Sequence, residues 1–262
     1  MICAITGHTG ILGSNFIKYN QNIKFIKFKG DLAKSREVYE WVVNTKFDCL
    51  LHFGAIVPIK QVEKNKDYAK KVNFKSVDII TKGLKKKNKK LWFFFPSSSH
   101  VYNYSNKKIK ETNKTNPLNY YGSLKLAAEK VIQKKLSNTK INFCIGRIFS
   151  FTHHNQKKSF FIPRLYSNKA SLKSTYRDFI HVKDICSCIN ILMKNNKKGI
   201  YNIASGKKIN LLKINSIMHN KKIYIRKKTK ENLFADISKV KSTGWKPTYS
   251  IEDIIRDYKN NI

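Results

Sequence analysis

Short, largely apolar runs alternate with stretches of helical spacing through the first part of the chain, and this alternation limits the fold more than any other feature. The runs fall at 2–6, 23–28, 49–53, 91–95 and 141–148. Between them, 11–19, 35–44, 68–85 and 123–136 read as helices, the third carrying Val72, Val77, Ile80 and Leu84 at helical spacing. A strand without a polar face has to be covered on both sides, which is the condition of a parallel sheet with helices on each face. The expected class is therefore α/β, a doubly wound parallel sheet. After residue 150 the pattern becomes irregular, with His153-His154-Asn155, the pre-proline stretch Phe160-Phe161-Ile162-Pro163 and a loop through Thr175. Regular runs resume at 179–182, 185–193 and 200–204. Residues 1–150 read as the sheet domain, with segments within about 176–204 returning to it, and 151–262 as a smaller C-terminal lobe. No internal repeat is visible.

The 262 residues are enough for one large domain or one with an appendage, and 41% hydrophobic with 12% aromatic content supplies a sizeable core. No apolar run approaches the ~20 residues that span a bilayer. The start, Met1 to Gly7, has neither a basic n-region nor a cleavage site, so a cytoplasmic protein without a membrane partner is expected. The five cysteines (Cys3, Cys49, Cys144, Cys186, Cys188) show no ligand spacing; they read as small core residues in a reducing compartment, and no metal site is expected. Cys186 and Cys188 would point to different faces of a helix.

The formal charge is +37, from 53 Lys and Arg against 16 Asp and Glu. Lysine supplies nearly all of it, whereas readers of nucleic acid favour Arg with aromatic residues interleaved. The runs at 85–90 and 221–230 read as solvated surface, and nucleic acid is not the expected partner. Such a field attracts anionic small molecules, with a marked salt dependence.

Thr6-Gly7-His8-Thr9-Gly10-Ile11-Leu12-Gly13 joins the first strand to the first helix. Glycines there permit a tight turn, close approach of backbone N–H groups to a pyrophosphate, and tight helix–strand packing, while the helix N-terminus adds partial positive charge. The spacing is G-x-x-G-x-x-G. In this and in further segments the chain resembles the extended short-chain dehydrogenase/reductases, the NAD-dependent epimerase/dehydratase family acting on nucleotide sugars. The likeness continues through Leu51-His52-Phe53-Gly54-Ala55, Asn73, Ser97-Ser98-Ser99-His100-Val101-Tyr102, Tyr121-Gly122-Ser123-Leu124-Lys125, Arg177 to Asp184, Asp236-Ile237-Ser238-Lys239 and Gly244-Trp245-Lys246-Pro247. It implies a Rossmann-type NAD(P)-binding domain at 1–150 and a substrate-binding lobe at 151–262. It implies cofactor contacts from Gly7, Thr9, Gly10, Ile11, Leu12, Gly13, Gly54, Ala55, Asn73, Tyr121 and Lys125, and a helix-paired homodimer.

The second strand runs straight into Lys29-Gly30-Asp31-Leu32, so the sequence leaves no room for the usual intervening helix and third strand. Asp31 is the nearby carboxylate; it either touches the adenine or ribose edge of the cofactor or caps the next helix. Lys27 and Lys29 leave NADP open beside NAD.

A lysine four residues after a tyrosine lies one helical turn away on the same face, and its ammonium is expected to lower the phenol's pKa and to hold the nicotinamide ribose. Tyr121 and Lys125 have that spacing; Tyr120 has Leu124 at the same offset. Ser98 is placed to hydrogen-bond the reacting oxygen. The catalytic set is thus Ser98, Tyr121 and Lys125, with His100 either a second acid or base or a plain loop histidine. Ser99 and His100 stand where the related 4,6-dehydratases carry an acidic pair, which weakens a dehydratase reading. Ser98, Ser99 and Arg177 are the substrate-binding candidates, Arg177 either clamping a substrate diphosphate or pairing with Asp178 or Asp184. The expected activity is an NAD(P)-dependent nucleotide-sugar epimerase or reductase in surface-polysaccharide precursor synthesis; the alternative is a non-catalytic dinucleotide sensor or RNA-associated protein of the same fold.

Overall fold

The computed structural model describes residues 1–170, 174–220 and 231–262; the lysine-rich run expected as solvated surface at 221–230 lies outside them. The first part of the chain runs β1 (Ile2–Thr6), α1 (Ile11–Tyr19), β2 (Lys24–Lys27), α2 (Ser35–Asn44), β3 (Cys49–His52), α3 (Ile59–Lys64), α4 (Lys66–Lys70), α5 (Ser76–Lys87), β4 (Leu91–Ser98), α6 (Tyr120–Leu136) and β5 (Ile141–Ile148). It continues through β6 (Ser150–Thr152), α7 (Phe161–Tyr166), β7 (Tyr176–Arg177), β8 (Phe179–His181), α8 (Val182–Lys194), β9 (Gly199–Ile203) and β10 (Ile209–Asn210). The last helices are α9 (Leu211–His219), α10 (Ser238–Lys241) and α11 (Ile251–Asn260).

Among the described residues the main sheet has six parallel strands in the order β2-β1-β3-β4-β5-β9. β2 is an edge, because the chain passes from it into Lys29 to Leu32 and then α2. The strand order reverses beside β1, and a crevice opens at such a point beyond the carboxyl ends of the strands. Side-chain alternation divides the core. Trp92 and Phe94 of β4 join Phe16 of α1 and Ile185 and Ile189 of α8 on one face. Leu91, Phe93 and Phe95 join Val77, Ile80 and Leu84 of α5 and Ala128 and Ile132 of α6 on the other. All five cysteines are buried and free. No described helix is long and apolar enough to cross a membrane.

Three boundaries differ from the sequence expectation for local reasons. The helix expected over 68–85 is α4 and α5 joined by a π-helical turn, Lys71–Lys75, which holds Asn73. β4 continues past Pro96, since its register with β5 runs on through Pro96 opposite Gly146 to Ser98 opposite Ile148. α6 starts at Tyr120 because the Asn119 side chain accepts the Gly122 N–H and caps it.

The later elements build a second, smaller core from Ile162, Leu165, Phe179, Ile214, Ile254 and Ile255. β6 pairs in parallel with β8, and β7 in antiparallel with β10. Asp178 ties these pieces together by accepting from Ser205 N and Oγ, Gly206 N and Ala235 N. Asp184 accepts from Thr248 N and Tyr249 N.

Two buried polar networks lock the sheet. The Gly54 N–H donates to Thr6 Oγ1 (3.2 Å), and because Ser76 Oγ is committed as a donor to Val72 O, a neutral His52 holds its proton on Nε2 and accepts from the Thr6 hydroxyl at Nδ1 (2.7 Å). His52 Nε2 then carries the proton toward Ser76 Oγ (3.4 Å), which donates to Val72 O (2.5 Å). Arg147 of β5 grips Glu129 of α6 through Nε and Nη2 and donates from Nη1 to the Tyr102 hydroxyl, which donates to Asn202 Oδ1. Ser97 donates to the same Glu129 carboxylate.

Burial pulls the His52 pKa down to about 3, so the folded state holds the neutral imidazole while the unfolded chain takes up a proton below about pH 6.5. Its ring protons are therefore expected not to titrate by NMR between pH 8 and 5, and the stability that this histidine confers falls as pH drops below about 6.5; a normal titration midpoint would contradict the network. Glu129→Gln strands a buried guanidinium, and urea denaturation should find a loss of about 3–5 kcal/mol, against no loss if the pair were dispensable.

Candidate active site

The site begins with backbone packing at the end of β1. Gly7 has φ +65°, and a Cβ there would lie 2.4 Å from Gly54 N. A Cβ on Gly13 would lie 2.2 Å from Gly7 O, so α1 can approach the turn only with glycine at that position. A Cβ on Gly10, by contrast, would have one neighbour within 4 Å, Gly7 O at 3.3 Å. The recess beside Gly10, at the N-terminus of the nine-residue α1, presents unsatisfied N–H groups to an incoming anion and fits a pyrophosphate.

Across the crevice, β4 ends in Ser98 and a 3₁₀ turn, Ser99–Val101. Ser98 Oγ accepts the His100 N–H (3.2 Å), and Ser98 and Tyr121 meet in the lining of the same crevice. Gly122 makes this meeting sterically feasible, because a Cβ there would stand 2.2 Å from His100 O. Asn119 completes it: with Oδ1 committed to the α6 cap, its Nδ2 donates to His100 Nδ1 (2.7 Å), so a neutral His100 carries its proton on Nε2. Burial and the nearby Arg177 charge hold the His100 pKa below its ordinary value.

Lys125 is buried behind Tyr121, donating to Pro96 O (2.8 Å) with Nζ 4.6 Å from the centre of the Phe95 ring. Burial lowers its pKa to about 7, opposed by Glu129 one turn further along α6. Tyr121 is buried as well, and this pushes its phenol above the ordinary value, opposed by the Ser98 hydroxyl. The expectation that the ammonium holds the phenol down does not describe this state: Nζ is 5.8 Å from the phenol ring centre, and loss of solvation outweighs it.

A cleft of about 580 Å³ joins these parts. Gly7, Gly10, Ile11, Leu12, Gly13, Ala55, Ser98, Ser99, His100 and Tyr121 all line it. Other sequence-predicted residues sit beside it. Gly54 packs under Gly7. Asn73 grips the backbone of Ile56, accepting from its N–H and donating to its carbonyl, both at 2.8 Å, and so acts on the loop after β3 rather than on the cleft. Asp31 closes an Asx turn onto Ala33 N (2.8 Å) and accepts from the Tyr68 hydroxyl (3.4 Å). It does not cap α2, whose N-cap is Lys34. Thr9 is an exposed turn residue. Arg177 neither lines the cleft nor pairs with Asp178 or Asp184. Its Nη1 donates to Tyr176 O and Glu231 O, and its guanidinium lies over the Tyr104 ring.

The lobe contributes residues that the sequence reading did not single out: Gln156, Phe160, Phe161 and Arg164, with Lys60 from α3. The irregular stretch through Pro163 marked the place, but no spacing rule marked the side chains. His153, which bonds Asn15 and stacks on His154, and His181, which pairs with Asp257, lie outside the lining.

The chain is 24% identical to the ADP-L-glycero-D-manno-heptose-6-epimerase of Brachyspira hyodysenteriae, over 97% of this chain and 95% of that protein. It is 26% identical to the UDP-glucose 4-epimerase of Mycoplasma genitalium, over 98% and 95%. Among solved structures, the Thermus thermophilus UDP-glucose 4-epimerase in complex with NAD superposes with a TM-score of 0.85 at 14% identity, covering all of both chains. The Bacillus cereus UDP-glucuronic acid 4-epimerase with UDP-glucuronic acid and NAD gives 0.84 at 20%, over 99% and 98%. Together with a cradle, hydroxyl, phenol and buried amine at one crevice, a match of residues 8–258 to the GDP-mannose 4,6-dehydratase family model places this chain in that family of extended short-chain dehydrogenase/reductases.

Proposed function

We propose that the chain is an NAD(P)-dependent nucleotide-sugar epimerase or reductase, acting at one sugar carbon through Ser98, Tyr121 and Lys125. The observation that carries this reading is that Ser98 and Tyr121 line the same cleft as the Gly7–Gly13 cradle. When bound at that cradle, a nicotinamide dinucleotide would supply the hydride acceptor and donor. Tyr121 takes the proton of a sugar hydroxyl, or returns one to a carbonyl oxygen, while Ser98 orients that oxygen. Lys125 stands behind the phenol, where it can orient a ribose and, once charged, favour phenolate. His100, with its proton on Nε2, meets an oxygen first as an acid.

Residues lining the cleft favour epimerase or reductase chemistry over dehydration. Among the described residues no carboxylate lines it, and Ser99 and His100 follow Ser98. Relatives that act on nucleotide sugars support the substrate class and, through it, a place in making surface-polysaccharide precursors. The five buried free thiols fit a reducing cytoplasm.

Tyr121→Phe is expected to keep dinucleotide affinity while turnover of a nucleotide sugar falls about 100-fold or more, roughly 3 kcal/mol of barrier; unchanged turnover would remove the phenol from the reaction. His100→Phe should lower turnover by about 100-fold if the imidazole moves a proton, and by less than about threefold if it only fills the loop. A wild-type chain that binds dinucleotide but turns over no nucleotide sugar would support the sensor reading instead.

A further inference from the structure

The lysine run at 85–90 belongs to an ordered cationic face for which the chemistry above has no use. α5 and α6 lie side by side and bury Val77, Ile80 and Leu84 with Ala128, Ile132 and Leu136. On the sides turned away from that core stand Lys82 and Lys86 of α5, Lys75 of the preceding π-helical turn, and Lys130 and Lys134 of α6, all exposed. The carboxylate beside them, Asp78, is already held by Lys82 and Lys135. Lys89 and Lys90, also exposed, extend the charge past the end of α5. A lysine-rich composition does not by itself produce such a face, because the same chain mixes signs elsewhere. Lys34 pairs with Glu37 and Arg36 with Glu40 on α2, and Lys213 of α9 pairs with Glu252 of α11.

The charge limits what can cover this face. A homodimer built on it would set lysine against lysine, since a twofold contact joins a patch to its own copy. The outward rows hold no Arg and no aromatic residue, which removes the anchors of a specific protein interface and the usual readers of nucleic acid. Hydrated ammonium groups on flexible stems suit a partner that offers dense negative charge without a fixed pairing geometry, and an acidic bilayer surface is such a partner. We propose that the α5–α6 face docks the chain on an acidic phospholipid surface, a peripheral contact made by charge alone. The face lies on the side of the sheet opposite α1 and α8, so docking leaves those helices in water. It does not depend on the reaction proposed above.

The overall charge would draw the chain to any anionic surface, so the test separates this face from the general field. The full chain is sedimented with vesicles of phosphatidylcholine alone, and of phosphatidylcholine with about 30% phosphatidylglycerol, at about 0.1 M and about 0.5 M salt. Binding is expected to the acidic vesicles only, weakening about tenfold or more at the higher salt. Lys82→Gln, Lys86→Gln, Lys130→Gln and Lys134→Gln together are expected to weaken it about tenfold or more. Lys24→Gln, Lys194→Gln, Lys241→Gln and Lys259→Gln, exposed residues of other elements, give a control of the same net charge that is expected to stay within about threefold of wild type. Should the fourfold face variant not fold by circular dichroism, Lys82→Gln with Lys130→Gln carries the measurement, with a loss of about threefold or more expected. No binding to acidic vesicles, or equal losses in face variant and control, overturns the proposal. So does a wild-type dimer in analytical ultracentrifugation that the face variant breaks. An RNA oligonucleotide that binds more tightly than the acidic vesicles, and loses that binding in the face variant, assigns the face to nucleic acid and overturns it too.

Discussion

A polar stripe on α6 sets the terms for the rest of the molecule. Tyr121, Lys125 and Glu129 follow one another at intervals of four residues, so they share a helix face, and all three are buried. Polar groups can be kept there only if each finds a partner. Tyr121 meets Ser98 at the cleft, Lys125 donates to Pro96 O, and Glu129 accepts from Arg147 and Ser97. Three of these partners come from the last residues of β4 and the fourth from β5. The position of α6 is therefore dictated by polar pairing as much as by apolar contact, and the pairing brings the phenol to the end of the sheet. Asn119 and Gly122 act at the start of the same helix, one by capping it and bridging to His100, the other by leaving room for His100 O.

The first part of the fold was legible in the sequence because its signal is local. Apolar runs at the strands and helical spacing between them follow directly from a sheet covered on both faces, and 11–19, 35–44 and 141–148 coincide with α1, α2 and β5. The lobe was less legible because its elements are short and depend on distant partners. β7 and β10 have two residues each and are held by antiparallel pairing across a long separation. α9 and α11 were not anticipated, although the Ser250-Ile251-Glu252-Asp253 capping box was a readable signal for α11. The π-helical turn was beyond reach from spacing alone. It became intelligible once Asn73 was found on the Ile56 backbone and Ser76 on Val72 O.

The same distinction applies to the site. Ser98, Tyr121 and the glycine loop were legible because their spacing carries their geometry. Arg177 and Asp31 belonged to recognisable segments, but what a side chain faces is decided by tertiary surroundings: Glu231 O, Tyr176 O and the Tyr104 ring for one, the Ala33 turn and Tyr68 for the other. Arg164 lay in a stretch without periodicity, and only the seating of α7 on the second core gave it a position.

A chain with a formal charge of +37 nonetheless builds a candidate site whose own groups are driven toward neutrality. Burial raises the Tyr121 phenol, lowers Lys125 to about 7 and depresses His100. These shifts share one cause, the loss of water at the end of the sheet, which penalises whichever form is charged. Surface lysines and the centre thus do different work. The surface field is long-ranged and salt-sensitive, and it raises the local concentration of anions without choosing among them. In the proposed reaction, Ser98, Tyr121 and His100 add no fixed charge to oppose a proton moving between a sugar oxygen and the phenol. An anionic ligand entering such a site acts on Lys125 in the direction opposite to burial, favouring its ammonium form.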